Sequence, residues 1–375
     1  MSKKPKIAFV YLSDVRDIRV WSGIPYYMAK HLARVAELEY VCPLKPVPSI
    51  IHRMVWYAKK LGAPIAQPNT WSWITGKWYA RQVATQIQSD TDIVFCPGHI
   101  PIADLHTSIP KIFHTDTTYG QMLGFYEGWD RDPRVVQDGH RMQRRALASC
   151  ALAIYSSEWA TNYAIRYYGA SPSIVKTIPF GANIEDSPTR EQAFNHKRDS
   201  VIRLLFVGKD WKRKGGDVAL SIADELHNAG KSVELAICGS APPPEVCPSS
   251  MVKVYPFLDK SRPADRETMN RLYLESDFLI LPSRADCTPI VCCEAMAYGL
   301  PILSTNVGGL PSLVTESVNG FTFSLEAKPH CYAEKILSIS NDEYHKLRQR
   351  ARDMYEERFN WDVWSKEITD AMRGI

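Results

Sequence analysis

The chain has 375 residues, of which 45% are hydrophobic and 23% are charged, and its 45 Lys and Arg against 41 Asp and Glu give a formal net charge of +4. This composition is typical of a folded globular protein and excludes collagen-like, disordered and small disulfide-stapled chains. The length favours two domains, each large enough to bury a hydrophobic core of its own.

Short apolar segments of strand type alternate with segments of helical spacing in the first half of the chain. Helical spacing occurs at 26–35, in the stretch that ends at 148, and at 158–168. The strand-like segments are KIAFVYL at 6–12, DIVFCP at 92–97, KIFHT at 111–115, ALAIYSS at 151–157 and VKTIPF at 175–180. This alternation predicts a parallel sheet that is covered by helices on both faces.

The same alternation starts again after a polar, turn-rich segment at 186–200, which is predicted to be a linker. Helical spacing occurs at 217–229, 267–275 and 292–298. The strand-like segments are RLLFVG at 203–208, VELAICG at 233–239, VKVYPF at 252–257, DFLILPS at 277–283, PILST at 301–305 and GFTFS at 320–324. A second sheet of the same kind is therefore predicted.

These patterns predict an α/β protein with two doubly wound Rossmann-like domains. The N-terminal domain covers residues 1–185 and the C-terminal domain covers 201–358. The apolar spacing at 361–372 predicts a closing helix within 359–375 that packs back toward the N-terminal domain. Open parallel sheets bind ligands at the carboxyl ends of their strands, and we expect the two domains to face each other across a cleft that holds a substrate pair.

The N-terminal apolar run at 7–12 is too short for the core of a signal peptide, and no segment approaches the roughly 18 apolar residues that cross a bilayer. The nine cysteines include no C-x-x-C pair. They are typical of small core residues in a reducing compartment. The sequence therefore predicts a cytoplasmic protein.

Two loops of the second half combine residue types that bind phosphates and sugars. In RLLFVGKDWKRKGGD, Lys209 follows a strand and Lys214 precedes a Gly-Gly pair where a helix begins, a suitable place for a diphosphate. In the second loop, Asp286 and Glu294 bracket the start of a helix, and carboxylates there can accept hydrogen bonds from vicinal hydroxyls. Taken singly, the first loop could be a solvated basic turn, and the two carboxylates could simply cap and complete a helix.

Taken together, these loops and the run EAMAYGLPILSTNVGGLPSLV at 294–314 resemble the retaining family 4 glycosyltransferases of GT-B fold, the glycosyl transferases group 1. The N-terminal half adds looser matches: Ser22-Gly23-Ile24 before a helix, FHT at 113–115, SSEWA at 156–160 and IPFGAN at 178–183. The resemblance thus extends over almost the whole chain.

The resemblance implies a role for each matching residue. Lys209 and Lys214 would bind the diphosphate of a nucleotide-sugar donor, Glu294 would bind its ribose, and Asp286 would hold the transferred sugar. Gly23 would let a loop approach the phosphates closely, and His114 would lie beside the sugar unless backbone groups merely satisfy it. Donor contacts are also implied for the backbone N–H groups of Thr288, Pro289, Ile290 and Val291, although proline has no N–H to donate.

The sequence departs from the family pattern at two positions. The first acid of the second loop is usually Glu, whereas this chain has Asp286, which is one methylene shorter. The first basic residue is usually Arg, and Lys209 lacks the bidentate grip of a guanidinium. We expect altered sugar selectivity and weaker donor affinity from these changes.

The resemblance also implies a mechanism. The departing diphosphate would assist deprotonation of the acceptor on the same face of the sugar, so that the configuration is retained without a protein nucleophile. No cofactor and no metal are expected. The alternative metal site, the Asp90-Thr91-Asp92 triplet, stands at the amino end of its predicted strand, which is the wrong end for ligands.

The charges indicate where the acceptor binds. Residues 1–187 contain 21 Lys and Arg against 15 Asp and Glu, a balance of +6, whereas residues 188–375 contain 24 against 26, a balance of −2. Residues 40–89 contain no acid, and their basic residues equal the surplus of the first half: Lys45, Arg53, Lys59, Lys60, Lys77 and Arg81. With Trp71, Trp73, Trp78 and Tyr79 beside them, residues 45–81 fit an anionic membrane surface.

In this interpretation, one apolar helical face carries Ile51, Met54, Val55, Ala58 and Leu61. The alternative is that the tryptophans pack into the core and the lysines only face water. No nucleic-acid recognition motif is present.

The sequence thus predicts a glycosyltransferase that transfers a hexose-type sugar from a nucleotide diphosphate sugar to the hydroxyl of an acceptor such as a glycan or glycolipid. It would act in the cytoplasm at the inner face of the membrane. Two alternatives stay open: a nucleotide-sugar epimerase or phosphorylase of the same architecture, and a sugar-nucleotide binding protein without catalysis.

Overall fold

The computed structural model describes residues 4–63, 69–128, 132–244 and 249–375. The chain divides into two compact units, one of residues 1–179 together with 365–375 and the other of residues 180–364. Within the described residues, each unit has a six-stranded parallel sheet with helices connecting the strands. The predicted α/β class with two doubly wound sheets is confirmed.

The first sheet has the order β2-β1-β3-β4-β5-β6. Every residue of β1, β3 and β4 is buried, which explains why these segments are nearly continuous apolar runs. Its strands are β1 (Lys6–Val10), β2 (Glu37–Val41), β3 (Ile93–Pro97), β4 (Lys111–Thr115), β5 (Leu152–Tyr155) and β6 (Val175–Thr177). Its helices are α1 (Ile24–Val35), α2 (Ser49–Lys60), α3 (Trp73–Gln86), α4 (Tyr119–Met122), α5 (Pro133–Ser149) and α6 (Glu158–Tyr168).

The second sheet has the order β12-β11-β10-β7-β8-β9. Its strands are β7 (Val201–Val207), β8 (Ser232–Cys238), β9 (Val252–Tyr255), β10 (Phe278–Leu281), β11 (Ile302–Thr305) and β12 (Gly320–Phe323). The helices are α7 (Arg190–Phe194), α8 (Trp211–Lys214), α9 (Gly216–Asn228), α10 (Pro263–Glu275), α11 (Ile290–Ala297), α12 (Pro329–Ser338), α13 (Asn341–Glu357) and α14 (Trp361–Met372).

The segment at 186–200, predicted as a linker, lies within the second unit. It contains the short helix α7, whose N-terminus is capped by a reciprocal capping box between Thr189 and Gln192. Arg348 of α13 donates hydrogen bonds to the carbonyls of Ala193 and His196. These contacts fix the segment to the unit that follows it.

The C-terminal helix α14 begins in the second unit, and its last two turns belong to the first. Within the first unit, Ser365 donates a hydrogen bond to the carbonyl of His31 over 3.4 Å. Ile368 is fully buried. None of the helices in the described part of the chain is both long and apolar enough to cross a membrane.

Candidate functional site

The candidate site lies where the strand order of the second sheet reverses. Strand β10 pairs with β7, with Phe278 opposite Leu204 and Leu279 opposite Leu205, so the loops that follow these two strands are neighbours. From β7 the chain proceeds to β8 on one side, and from β10 it proceeds to β11 on the other. Such a switch point at the carboxyl ends of strands is where open α/β sheets bind their ligands.

The loop after β7 is shaped to hold Lys214. Asp210 caps α8 by accepting a hydrogen bond from the Arg213 N–H over 3.1 Å. Gly215 then has a φ of +79°, and a Cβ there would lie 2.1 Å from the carbonyl oxygen of Pro282. A Cβ on Gly208 would lie 2.9 Å from Cγ of Lys214, so the stem of the lysine packs closely on the backbone. Glycine is therefore required at 215 for both its backbone angle and its space.

The loop after β10 brings Asp286 to that lysine. The Nζ of Lys214 donates to Oδ2 of Asp286, and Ser283 Oγ donates to the same oxygen over 3.2 Å. A nitrogen of Arg213 lies 3.8 Å from it. The side chains of Lys214 and Asp286 are only 12% and 8% exposed. The structure therefore joins two predicted site residues that are 72 positions apart in the sequence.

Further contacts connect the two loops. Arg213 donates to the carbonyl of Ala285 over 2.8 Å, and the Arg284 N–H donates to the carbonyl of Arg213 over 2.7 Å. The Arg284 guanidinium pairs with both oxygens of Asp217, at 2.8 and 2.7 Å. The hydrogen bond from Arg284 holds the pKa of Asp217 below its usual value. Lys214 and Asp286 are thus held by a connected framework, which is what pre-organised binding requires.

Glu294 belongs to a second group of contacts, in the buried helix α11. Its Oε2 accepts a hydrogen bond from the Tyr273 hydroxyl over 2.9 Å, and its Oε1 accepts one from Nζ of Lys260. Burial, with the neighbouring Glu294 carboxylate, raises the pKa of Tyr273 well above its usual value, so the phenol stays a donor. The Tyr273 ring stacks on Tyr298 with centroids 4.9 Å apart.

The segment between the two carboxylates leads directly into α11. Ile290 is the first residue of this helix and Pro289 its N-cap. The positive end of the helix dipole therefore lies close to Asp286 along the chain. The four residues whose backbone was predicted to contact the donor are all buried: Thr288, Pro289, Ile290 and Val291.

Lys209 does not join these contacts. It is exposed, and its ammonium lies over the ring of Phe257, 4.1 Å from the centroid. The basic residue that accompanies Lys214 at Asp286 is Arg213, and the one at Glu294 is Lys260. Sequence reasoning missed both. Arg213 stood in the basic loop that it had singled out, whereas the turn around Lys260 gave no signal.

In the first unit, the predicted Gly23 ends a short run of left-handed residues. Trp21 and Ser22 have φ values of 44° and 55°, Gly23 has 89°, and helix α1 begins at Ile24. Non-glycine residues rarely adopt this conformation, which costs roughly 1 to 2 kcal/mol for each. Backbone strain of this kind is concentrated at functional sites.

His114 lies in β4 and is fully buried. Burial lowers its pKa to about 3, a fall that a hydrogen bond with the backbone of Ile178 partly opposes. Burial also lowers the pKa of His99 to about 4, and this ring packs 5.5 Å from Phe113 and 5.6 Å from Trp71. Both imidazoles are therefore neutral at neutral pH. The role of His114 beside a sugar stays a prediction.

The Asp90-Thr91-Asp92 triplet lies at the amino ends of β1 and β3. Asp90 pairs with the ammonium of Lys6 at 2.6 Å, and Asp92 accepts a hydrogen bond from the Lys6 N–H over 2.8 Å. Over residues 4–63, 69–128, 132–244 and 249–375, no group of three or more His, Cys, Asp and Glu side chains is arranged to hold a metal ion.

Helix α2 exposes an apolar stripe that differs from the predicted face. Val55 is buried, as a core position requires, but Met54 is 64% exposed and Leu61 is 88% exposed. The prediction that Met54 and Leu61 share a face with Val55 is therefore wrong. The exposed stripe of α2 consists of Ile50, Met54 and Tyr57 in the helix and Leu61 at its C-cap, at positions i, i+4, i+7 and i+11. Residues 64–68 of the predicted membrane segment lie outside the described residues.

Comparison with known proteins finds that the chain is similar to glycosyltransferases. Residues 202–342 match the family model for glycosyl transferases group 1. D-inositol 3-phosphate glycosyltransferase of Segniliparus rotundus is 24% identical over 256 residues, which cover 64% of this chain and 55% of that protein. An uncharacterized glycosyltransferase of Methanocaldococcus jannaschii is 29% identical over 335 residues, 83% of each chain.

Solved structures extend the likeness in fold to the whole chain. Sucrose-phosphate synthase from Thermosynechococcus elongatus superposes with a TM-score of 0.71 at 15% identity, covering 99% of this chain and 98% of that one. An Anabaena protein in complex with UDP and glucose superposes with a TM-score of 0.66 at 17% identity, covering 99% and 100%. At these identities the likeness establishes the fold alone, and the match to the Segniliparus enzyme spans about half of that protein's length.

Proposed function

We propose that the chain is a group 1 glycosyl transferase of GT-B fold, and that it transfers a hexose-type sugar from a nucleotide diphosphate sugar to an acceptor hydroxyl, with retention of configuration. The observation that carries the proposal is the buried Lys214–Asp286 pair at the switch point of the second sheet. Burying two charges is costly unless they are paired. Because this pair lies at the carboxyl ends of two strands, its charged groups are in a suitable position to bind the polar groups of a ligand.

In this proposal the donor diphosphate accepts some of the hydrogen bonds that the Lys214 ammonium would otherwise donate to Asp286. Phosphate oxygens accept charge-assisted hydrogen bonds as carboxylates do, so a diphosphate competes with Asp286 for the ammonium. Asp286 would then accept hydrogen bonds from hydroxyls of the transferred sugar. Lys209, now over Phe257, would turn toward the same phosphates. Glu294 would bind the ribose, and the N–H groups at the start of α11 would complete the donor contacts.

Catalysis would rest on positioning and on charge stabilisation at the leaving group. As the bond between sugar and diphosphate lengthens, negative charge grows on the diphosphate. A lysine that is fixed in position and largely shielded from water stabilises that charge strongly. The diphosphate would assist deprotonation of the acceptor hydroxyl on the same face of the sugar. We propose that no metal ion is required. The roles of Gly23 and His114 stay predictions from the resemblance.

A thermal-shift panel of UDP, GDP, ADP and their hexose conjugates tests donor binding. UDP comes first because the solved Anabaena neighbour is described in complex with UDP and with UDP-glucose. A ligand at a hundred times its Kd is expected to add about 2.7 kcal/mol to the free energy of unfolding. If none of these compounds stabilises the protein, the proposed donor site is wrong.

An activity assay then separates transfer from its alternatives. Incubation of the stabilising donor with glycan and glycolipid acceptors should give a glycoside whose anomeric configuration, read by proton NMR, equals that of the donor. Inverted product would contradict retention. Conversion of the donor sugar into its epimer without acceptor, or binding without any turnover, would favour the other functions.

We further propose that the first unit contacts an anionic membrane through the exposed stripe of α2. The stripe is apolar, and Arg53 and Lys60 border it, since each stands three or four residues from Tyr57. Lys60 also lies over the ring of Trp56, 3.9 Å from its centroid. With no acid in residues 40–89, this surface matches a bilayer whose headgroups are negative. The acceptor would then be lipid-linked or amphiphilic, and the protein would act at the inner face of the membrane.

Co-sedimentation with phosphatidylcholine vesicles, with and without phosphatidylglycerol, tests this contact. We expect binding to the anionic vesicles, and we expect its loss in the Met54→Ser/Leu61→Ser double variant. Leu337→Ser is the matched control, because Leu337 is an exposed leucine on α12 of the other unit. Absence of binding to both kinds of vesicle would end the proposal. Concentration-dependent dimerisation that the double variant abolishes would assign the stripe to a second copy of the chain.

A further inference from the structure

Glu294 is a buried carboxylate that pairs with the cationic side chain of Lys260. Its side chain is 4% exposed, yet it lies in the middle of an otherwise apolar helix whose eight residues are all buried. A buried ionised carboxylate is strongly unfavourable unless a cation and hydrogen-bond donors accompany it. Here Lys260 supplies the cation and Tyr273 supplies a neutral donor, one to each carboxylate oxygen.

Lys260 itself is held at both its backbone and its side chain. The guanidinium of Arg266 donates to the Lys260 carbonyl over 2.9 Å, which fixes the turn before α10. The ammonium donates a second hydrogen bond, to the carbonyl of Asn183 over 3.2 Å. Asn183 is fixed in turn by the indole N–H of Trp361, 2.9 Å from its side-chain oxygen. The lysine is therefore pre-organised to meet Glu294.

The geometry leaves Glu294 able to accept more hydrogen bonds. Each carboxylate oxygen can accept two, and Lys260 and Tyr273 each donate one. The two donors restrict the rotation of the carboxylate, so the acceptor positions that are left keep a constant direction. Lys260 is 27% exposed and is the more solvent-accessible partner of this ion pair. In the proposed site, a ribose would therefore meet a carboxylate that two donors already orient.

We propose that Lys260 is the positioning residue for Glu294, holding its carboxylate in the orientation in which it can accept hydrogen bonds from the ribose hydroxyls of the donor. The inference rests on the proposed function, since it requires a nucleotide donor. It assigns Lys260 to recognition of the hydroxyls through Glu294. It does not assign Lys260 to the diphosphate, which Lys214 serves.

The test measures the preference for a hydroxylated ribose. The Kd of the nucleoside diphosphate that binds best in the panel of UDP, GDP and ADP is compared with the Kd of its 2′,3′-dideoxy counterpart. Hydrogen bonds to a charged acceptor predict that the parent protein prefers the hydroxylated ligand by about tenfold or more. In Lys260→Met this preference should fall close to one, through weaker binding of the hydroxylated ligand.

Two further variants separate positioning from folding. Lys260→Arg keeps the charge and should keep part of the preference, which maintains the test if Lys260→Met fails to fold. Lys253→Met is the matched control: Lys253 pairs with Glu234 at 2.9 Å, but at an exposed position between β9 and β8. It should leave the preference at the parent value.

The outcomes are distinct. If the parent protein binds no nucleoside diphosphate, the proposed function fails and this inference fails with it. If the parent binds and discriminates, but Lys260→Met and Lys260→Arg discriminate equally well, only the role of Lys260 is wrong. A loss of affinity that is the same for the hydroxylated and the dideoxy ligand would show a merely structural lysine and would also overturn the inference.

Discussion

Each unit of the protein carries a lysine–aspartate pair beside its sheet, and the two pairs differ in the exposure of the aspartate and in the edge on which they lie. Lys214 and Asp286 are both buried and follow the carboxyl ends of β7 and β10. Lys6 and Asp90 lie at the amino ends of β1 and β3, and Asp90 is 61% exposed. The same two residue types therefore serve different purposes: ligand binding is favoured at the first edge and structural pairing at the second.

Removal of Lys214 should have the largest effect. Lys214→Ala is expected to lower kcat/KM by about a hundredfold or more, or roughly 2.7 kcal/mol of transition-state stabilisation, because the growing charge on the diphosphate loses its buried cation. The measurement is steady-state sugar transfer with the donor found in the panel.

Lys212→Ala is the control for Lys214→Ala. Lys212 stands on the same short helix but is exposed, and only its backbone carbonyl contacts Arg284. It should leave transfer almost unchanged. If Lys214→Ala transfers sugar as fast as the parent protein, the phosphate assignment of the buried pair is wrong.

Gly215→Ala should disturb the buried pair through the backbone. The new Cβ would lie 2.1 Å from the Pro282 carbonyl oxygen, at a φ of +79°. Overpacking and left-handed strain together are expected to lower the free energy of unfolding by about 2 to 4 kcal/mol, measured by urea unfolding.

The chain offers a matched glycine that separates these two causes. Gly230 has a φ of +74°, but nothing lies within 4 Å of a Cβ placed there. Gly230→Ala should therefore show only the strain, about 1 to 2 kcal/mol. Equal losses in the two variants would mean that the contact with Pro282 relaxes, and that the loop after β7 is less tightly held than the structure indicates.

In the first unit, burial lowers the pKa of two histidines, His99 and His114. The folded pKa values of His99 and His114, about 4 and about 3, lie below the unfolded value of about 6.5. The unfolded chain therefore binds more protons between these values, so the free energy of unfolding is undiminished above pH 6.5 and falls as the pH drops. At pH 5.5 each histidine should account for a loss of about 1.4 kcal/mol.

Urea unfolding at pH 7.5 and 5.5 measures this loss. In His99→Leu, the decrease in the free energy of unfolding from pH 7.5 to pH 5.5 should be smaller than in the parent protein by about 1.4 kcal/mol. His106→Leu is the control, because His106 is exposed. A decrease that is unchanged in His99→Leu would show that His99 accepts its proton without unfolding.

Local sequence patterns predicted the elements better than they predicted the contacts of the site. The bounds of β4, α6 and α14 agree with the predicted segments, because each has an unbroken apolar pattern with clear ends. Strand β2 was missed, since ELEYV is a partly exposed edge strand with only one fully buried residue. Helices α12 and α13 were also missed, because polar residues outnumber the buried apolar residues that would reveal a helical spacing.

Single residues of the candidate site could be predicted because they belong to local sequence motifs. The pairs that these residues form could not be predicted, because the two members of each pair are distant in the sequence. Asp286 and Glu294 were found by their spacing around a helix start. Lys260 was not, because its partner lies 34 residues away and the turn that carries it has no periodicity. Lys209 was assigned from its position after β7, and only the fold shows that its ammonium lies over Phe257.

Removal of Asp90, the exposed partner of Lys6, should have the smallest effect, and it tests the pair at the amino ends of the strands. Asp90→Asn removes a partner that is largely in water, where ion pairs contribute little. We expect the midpoint of urea unfolding to stay almost unchanged and kcat/KM to stay within about twofold, as for other exposed pairs. EDTA should leave transfer by the parent protein unaffected, because lysines neutralise the diphosphate in the proposed site. A large loss of transfer in Asp90→Asn, restored by added Mg²⁺ or Mn²⁺, would instead make the amino-terminal edge a metal site and would remove the distinction between the two pairs.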